Sequence, residues 1–148
     1  MDTRSDIILR LALAEDRAKR DVTTRTLIES SRSAKAVIIA KEILVIAGLP
    51  LAKRVFHFTD SRIRFNARVR EGAVVPKGKI VAELLGNARG ILSGERTALN
   101  ILQHLSGIAT MTRRVVRAIQ HTGVEVQDTR KTHPGLRSWE KYAVRMGG

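Results

Sequence analysis

Apolar positions along the 148 residues change their period several times, and each change predicts an element. Ile7, Ile8, Leu11 and Ala14 recur at helical spacing, so a helix is expected from a Ser5 cap through residue 18, with those four on its buried face. Asp21 and Thr23 follow as turn or cap residues. The Val- and Ile-rich runs AKAVIIAKE (34–42) and ILVIAG (43–48) read as strands, and Pro50 opens a short helix over residues 51–56. RIRFNARV alternates strictly, placing Ile63, Phe65, Ala67 and Val69 on one face of a half-buried strand. Gly72, Gly78 and Gly86 punctuate two more strands, the second spanning residues 80–85. Residues 34–86 are therefore expected to be mostly antiparallel β with one helix inserted.

From Ile91 the period becomes helical. Leu92, Ala98, Leu99, Ile101, Leu102 and Leu105 predict a helix over 91–105 that Ser106 and Gly107 close. Ile108, Met111, Val115 and Ile119 predict a second helix, closed by Gly123. Residues 124–126 read as a short strand entering a basic loop. Trp139, Tyr142, Ala143 and Met146, at i, i+3, i+4 and i+7, then predict a helix with a buried face. A lone strand followed by a helix is the opening of a βα unit, and one such unit cannot close a parallel sheet by itself. The pattern is that of the front part of a larger protein.

Composition narrows the classes. An apolar fraction of 43% suits a packed core, and no apolar run is long enough to span a membrane. With no Cys, disulfides and thiolate metal sites are excluded, and the cytoplasm is the default compartment. Lys and Arg number 27 against 14 Asp and Glu, a net charge of +13, which favours anionic partners. A polyanion- or nucleic-acid-binding module is one such reading, and it implies steeply salt-dependent binding. The cations are spread along the chain, however, and aromatics are 3%, so there is no stacking platform for single strands.

The cations of the last loop point to a smaller ligand. Arg130 and Lys131 follow the predicted strand, on the side where α/β folds bind ligands. A guanidinium fork matches a carboxylate, and an ammonium is a compact charge suited to phosphate. Gly135 permits a tight turn, and the following helix directs free N–H groups at the same space. Such a loop suits a small, multiply anionic ligand; solvated cations on a strand-end loop are the plain alternative.

The stretch DTRKTHPGLRSWEKYAVRMGG (128–148) closely resembles the signature of the quinolinate phosphoribosyltransferase family, the carboxylating nicotinate-nucleotide pyrophosphorylases. SGERTALNILQHLSGIAT (93–110), AEDRAKRDVTT (14–24) and VREGAVVPKGKIVAELLGNARGIL (69–92) resemble further motifs of that family in the same order. The resemblance implies an α+β N-terminal domain, an open-faced α/β sandwich with antiparallel strands, over residues 1–110 including helix 91–105. The first βα unit of an incomplete α/β barrel would occupy 111–148. It implies a phosphoribosyltransferase of NAD biosynthesis that joins quinolinate to phosphoribosyl pyrophosphate. The products are nicotinate mononucleotide, pyrophosphate and CO2, and Mg2+ accompanies the pyrophosphate.

Carried over by motif, Arg96, Arg130 and Lys131 bind substrate, with Lys131 the catalytic cation and Thr129 and Arg137 as further candidates. Arg96 would reach the site of a second subunit in a homodimer; from its helical position alone it reads rather as a solvated residue pairing with Glu95 or the helix end. His133 replaces a common threonine and reads as tolerated variation, His104 as a packing residue, and Asp128 as a loop-orienting group. Arg20 and Gln127 depart from the family pattern, at a glycine and at an apolar strand position respectively. The family's Asn-His-Arg motif, its Mg2+ carboxylates and its phosphate loops are not in these residues. This chain alone is therefore expected to hold no metal ligands and to show no turnover. A pyrophosphorylase-like relative linked to molybdenum transport shares the Thr-Arg-Lys and Pro-Gly patterns and stays open as an alternative.

Overall fold

Two small antiparallel sheets lie against one long helix in the computed structural model, which describes residues 3–16 and 22–148. In chain order the elements are α1 (Thr3–Glu15), α2 (Val22–Leu27), β1 (Ser33–Ile39), β2 (Leu44–Val45) and α3 (Leu49–Thr59). Then come β3 (Arg64–Ala67), β4 (Val74–Val75), β5 (Ile80–Asn87), α4 (Ala88–Ile119) and α5 (Arg137–Gly147). The class is α+β. Asp21, Arg20, residue 18 and the Thr23 side chain, to which roles were given above, lie outside the described residues.

The larger sheet has the order β1-β5-β3, and β2 pairs with β4. Its registry places Ala36 and Phe65 on either side of Leu84, so three strands contribute to one inner face. That face packs on α4, and the expected antiparallel unit over 34–86 is present. Ala67 departs from the expected buried row: it is exposed at the end of β3. Pro50 lies in the first turn of α3, as read, although the helix is longer at both ends.

Close approach of α3 and the turn after it to α4 explains two glycines. A Cβ on Gly90 would sit 3.0 Å from Asp60 and Ile63, and one on Gly94 would sit 3.0 Å from the Phe56 ring. Phe56 in turn stacks on Phe65 with centroids 6.0 Å apart. Small residues one helical turn apart thus let α3 settle into a groove of α4.

Three further expectations need correction. First, α1 buries Ser5, Leu9 and Leu13, whereas Ile7 and Leu11 are exposed. So many of its residues are apolar that two helical faces satisfy the period, and packing selects the other one. Ser5 is not a cap but an internal residue whose hydroxyl accepts from the Trp139 indole at 3.0 Å.

Second, residues 88–119 form one helix of 32 residues rather than two. Ser106 does not end it, because its hydroxyl is engaged outside the helix: it accepts from Ala47 N at 3.1 Å and donates to Ala47 O at 3.3 Å. Thr110 Oγ1 likewise accepts from Val45 N at 2.8 Å. These bonds fix the β2 edge to the helix, and the cost of about 1 kcal/mol for a glycine inside a helix is too small to break one so held.

Third, residues 124–126 form no strand. A strand needs a ladder partner, and among the described residues nothing pairs there; Val124 and Gln127 are exposed. The expected buried face of α5 is present: Trp139 and Ala143 are buried, and Tyr142 and Met146 are partly so.

Candidate functional site

The basic loop is built from α5 outward. Its turn is closed by Leu136 N donating to His133 O at 3.0 Å, with Gly135 at φ +83° where a side chain would be strained. Three fasteners tie the loop to the helix after it. Lys141 Nζ lies 2.8 Å from Asp128 Oδ1, and Arg137 Nε donates to Thr132 Oγ1 at 3.3 Å. Glu140 Oε2 accepts from His133 N at 3.3 Å, and Glu140 Oε1 stands 2.6 Å from His133 Nδ1.

Held this way, the consecutive residues Arg130 and Lys131 are exposed, and among the described residues neither has an acidic partner. Thr129 Oγ1 accepts from Lys131 N at 3.1 Å, which sets the local turn. Arg137, a candidate for anion contact, braces the loop through Thr132. Asp128 orients the loop as read.

Glu140 is the hidden support. It is buried in the first turn of α5 and also meets His104 Nε2 of α4 at 3.0 Å. Burial pushes its carboxyl up, but hydrogen bonds from His133 and His104 outweigh this and hold it below the usual range. Motif reading treated Glu140 only as part of a signature and His104 as packing. A carboxylate among apolar residues on a helix face is the one signal that could have marked it.

Arg96 lies elsewhere on α4. It is exposed, and its Nη1 donates to Asp16 Oδ1 at 2.6 Å. It precedes His104 by eight residues, about 12 Å along the helix and about 80° around it. The structure thus leaves Arg130 and Lys131, consecutive in the chain, exposed on one loop, links that loop to α4, and leaves Arg96 outside that group within one chain. A groove of about 560 Å³ runs between β1 and α4, lined by Ile38, Leu44, Leu102, Ser106, Met111 and Arg114 among others. Neither Arg96 nor the basic loop lines it.

Glu71, also missed by motif reading, anchors α5 from the other side. Its two oxygens accept from Gly48 N at 2.9 Å and Leu49 N at 2.7 Å, capping α3, and one of them also accepts from the Tyr142 hydroxyl. Arg113 of α4 closes the far end, donating to Gly147 O at 2.7 Å and Met146 O at 3.3 Å. The helix that carries the loop is therefore fixed along its length.

Known proteins match this arrangement. The family model described as "Quinolinate phosphoribosyl transferase, N-terminal domain" matches residues 21–106, and "Quinolinate phosphoribosyl transferase, C-terminal domain" matches residues 108–148. A "Probable nicotinate-nucleotide pyrophosphorylase (carboxylating)" of Bacillus subtilis (strain 168) is 43% identical over 134 residues, 90% of this chain and 46% of that one. The protein of the same name in Synechocystis sp. is 48% identical over 136 residues, 92% of this chain and 46% of that one. The crystal structure of NadC from Streptococcus pyogenes superposes with a TM-score of 0.93 at 43% identity, covering 97% of this chain and 51% of that one. The chain spans about half the length of the curated relatives it matches.

Proposed function

Because the chain belongs to the quinolinate phosphoribosyl transferase family, we propose that it supplies the quinolinate-facing part of an enzyme of NAD biosynthesis. That enzyme converts quinolinate and phosphoribosyl pyrophosphate to nicotinate mononucleotide, pyrophosphate and CO2. The observation that carries this reading is the loop of Arg130 and Lys131, fastened to α5 yet with both cations left unneutralised among the described residues. Acidic neighbours would have satisfied those charges had they been structural; left bare, they suit an incoming anion.

Quinolinate carries two carboxylates. The Arg130 fork holds one, and Arg96 of the partner subunit in a homodimer holds the other, orienting the ring nitrogen toward C1 of the ribose. As that nitrogen bonds to C1, pyrophosphate leaves with the electron pair of the broken C–O bond, and the Lys131 ammonium stabilises the departing charge. The alkylated ring is then a pyridinium. It accepts the electron pair of the breaking ring–carboxylate bond as CO2 departs, and the ring carbon takes up a proton. Thr129 and Arg137 position the loop rather than touch the reacting atoms.

Mg2+ would accompany the pyrophosphate. It takes an all-oxygen shell, whereas the one three-residue ligand group among the described residues is His104, His133 and Glu140. Those residues do not fit it. We further place residues 1–110 in an open-faced sandwich domain and 111–148 at the start of an α/β barrel, with residues 124–126 gaining their ladder from that barrel. The compartment is taken as the cytoplasm; no helix among the described residues is long and apolar enough to cross a membrane.

Calorimetric titration of quinolinate into the chain, with nicotinate as the one-carboxylate control, tests the reading. Quinolinate is expected to bind more tightly, and Arg130→Met and Lys131→Met are each expected to weaken it about tenfold, or about 1.4 kcal/mol. Equal affinity for the two ligands, unchanged by either substitution, overturns it.

A further inference from the structure

His104, Glu140 and His133 form a group whose chemistry the proposed transfer does not use. Each comes from a different element: His104 from α4, Glu140 from α5, and His133 from the loop between them. Glu140 Oε1 is 3.0 Å from His104 Nε2 and 2.6 Å from His133 Nδ1, and the ligand atoms of all three residues lie within 4.8 Å of one another. The imidazole rings meet edge to face with centroids 5.3 Å apart.

Three features make this more than a hydrogen-bonded cluster. The carboxylate is buried and fixed in rotation, since its other oxygen accepts from His133 N. The His133 ring is held over it by the closed turn, not by a flexible segment. One side is open, because His133 is exposed while Glu140 is buried.

We propose that His104, His133 and Glu140 bind one divalent ion of the zinc class (Zn2+ or Co2+), which clips the basic loop to both helices. A tetrahedral ion with bonds of about 2.0–2.2 Å sets its donors roughly 3.3 Å apart. The contacts to Glu140, at 3.0 and 2.6 Å, open by about 0.3 and about 0.7 Å to reach that spacing, and the two imidazole nitrogens, within 4.8 Å of each other, close to it. Two imidazole nitrogens and one carboxylate oxygen suit such ions and reject Mg2+ and Ca2+. Water fills the fourth position on the exposed side. Occupancy replaces hydrogen bonds that a proton bridges by bonds to a metal, so the loop that carries Arg130 and Lys131 loses freedom when the ion binds. The site stands or falls independently of the substrate assigned above, since its readout is the ion itself.

Untagged chain titrated with Co2+ is the direct test. We expect visible absorption of tetrahedral Co2+ that saturates at one ion per chain and is abolished by Zn2+. His133→Thr and His104→Gln are each expected to weaken binding at least about tenfold, the smallest loss usual for an outer-shell partner. His57→Gln and His121→Gln, which lie outside the group, leave it unchanged. Zn2+ is expected to slow amide exchange over residues 129–136 in the parent chain and not in His133→Thr. Because His133 is exposed, that variant keeps its fold; if His104→Gln unfolds, His133→Thr decides alone. No saturable Co2+ band, or a band with unchanged affinity in His133→Thr, overturns the proposal.

Discussion

The indole Nε1 of Trp139 donates to the hydroxyl of Ser5 at 3.0 Å, joining two buried residues 134 positions apart. The first and last helices are thereby tied directly. Ser5→Ala leaves the indole N–H without this acceptor in a buried setting, and a loss of about 1–3 kcal/mol is expected. Trp139 is the only tryptophan, so its fluorescence follows the denaturant transition that measures this loss. A midpoint unchanged from the parent chain would show that the bond contributes nothing.

Tyr142, the only tyrosine, should resist ionisation. Burial, and then its hydrogen bond to Glu71, push the phenol well above its ordinary value of 10.0. The folded chain keeps a proton that the unfolded chain releases near that pH. This contribution is therefore complete below pH 10.0 and is lost as the pH rises further. An ultraviolet titration should show no phenolate near pH 10.0 while the chain stays folded. Glu71→Gln should lower the midpoint only in part, since burial persists. A folded chain that titrates normally would contradict this account.

Two glycines on adjoining helices should respond oppositely to alanine. At Gly147 a Cβ would lie 2.5 Å from Thr112 Cβ and 2.6 Å from Ala109 O, so Gly147→Ala forces α5 off α4 at a cost of about 1–3 kcal/mol. At Gly107, inside α4, nothing lies within 4 Å of the added atom, and Gly107→Ala should stabilise by about 0.4–1 kcal/mol. Unfolding midpoints at constant slope report both. Destabilisation by Gly107→Ala would mean that α4 is interrupted there.

Thr97 has a buried hydroxyl without a hydrogen-bond partner, the one such side-chain atom among the described residues. It adjoins Arg96 in the Glu-Arg-Thr motif, so local stability is sacrificed next to a candidate substrate contact. Thr97→Val should raise stability by about 1 kcal/mol, measured by thermal unfolding. A loss of similar size would imply a polar partner for that hydroxyl.

Much of the fold was legible because strands and helices differ in period. The spacing of Trp139 and Ala143 identified both a helix and its buried face, and the alternation around Phe65 identified a strand though not the exposure of Ala67. Legibility failed where packing, not pattern, decides. Nothing local distinguishes Leu9 from Leu11, yet only one meets the core. Nothing local shows that Ser106 would spend its hydroxyl on Ala47 and so keep α4 whole. At the candidate site the exposed cations were visible as a motif. Their supports were not, because Glu140 draws its meaning from His104, 36 residues earlier, and Glu71 from Tyr142, 71 residues later.

The unbroken α4 has a geometric consequence of its own. With no hinge between Arg96 and the His104 contact, their relative bearing is a matter of residue count alone: adding or deleting one residue between them swings one by about 100° against the other. Substitutions along that span leave the bearing as it is, whereas a change of length by a single residue turns the guanidinium away from whatever it addresses.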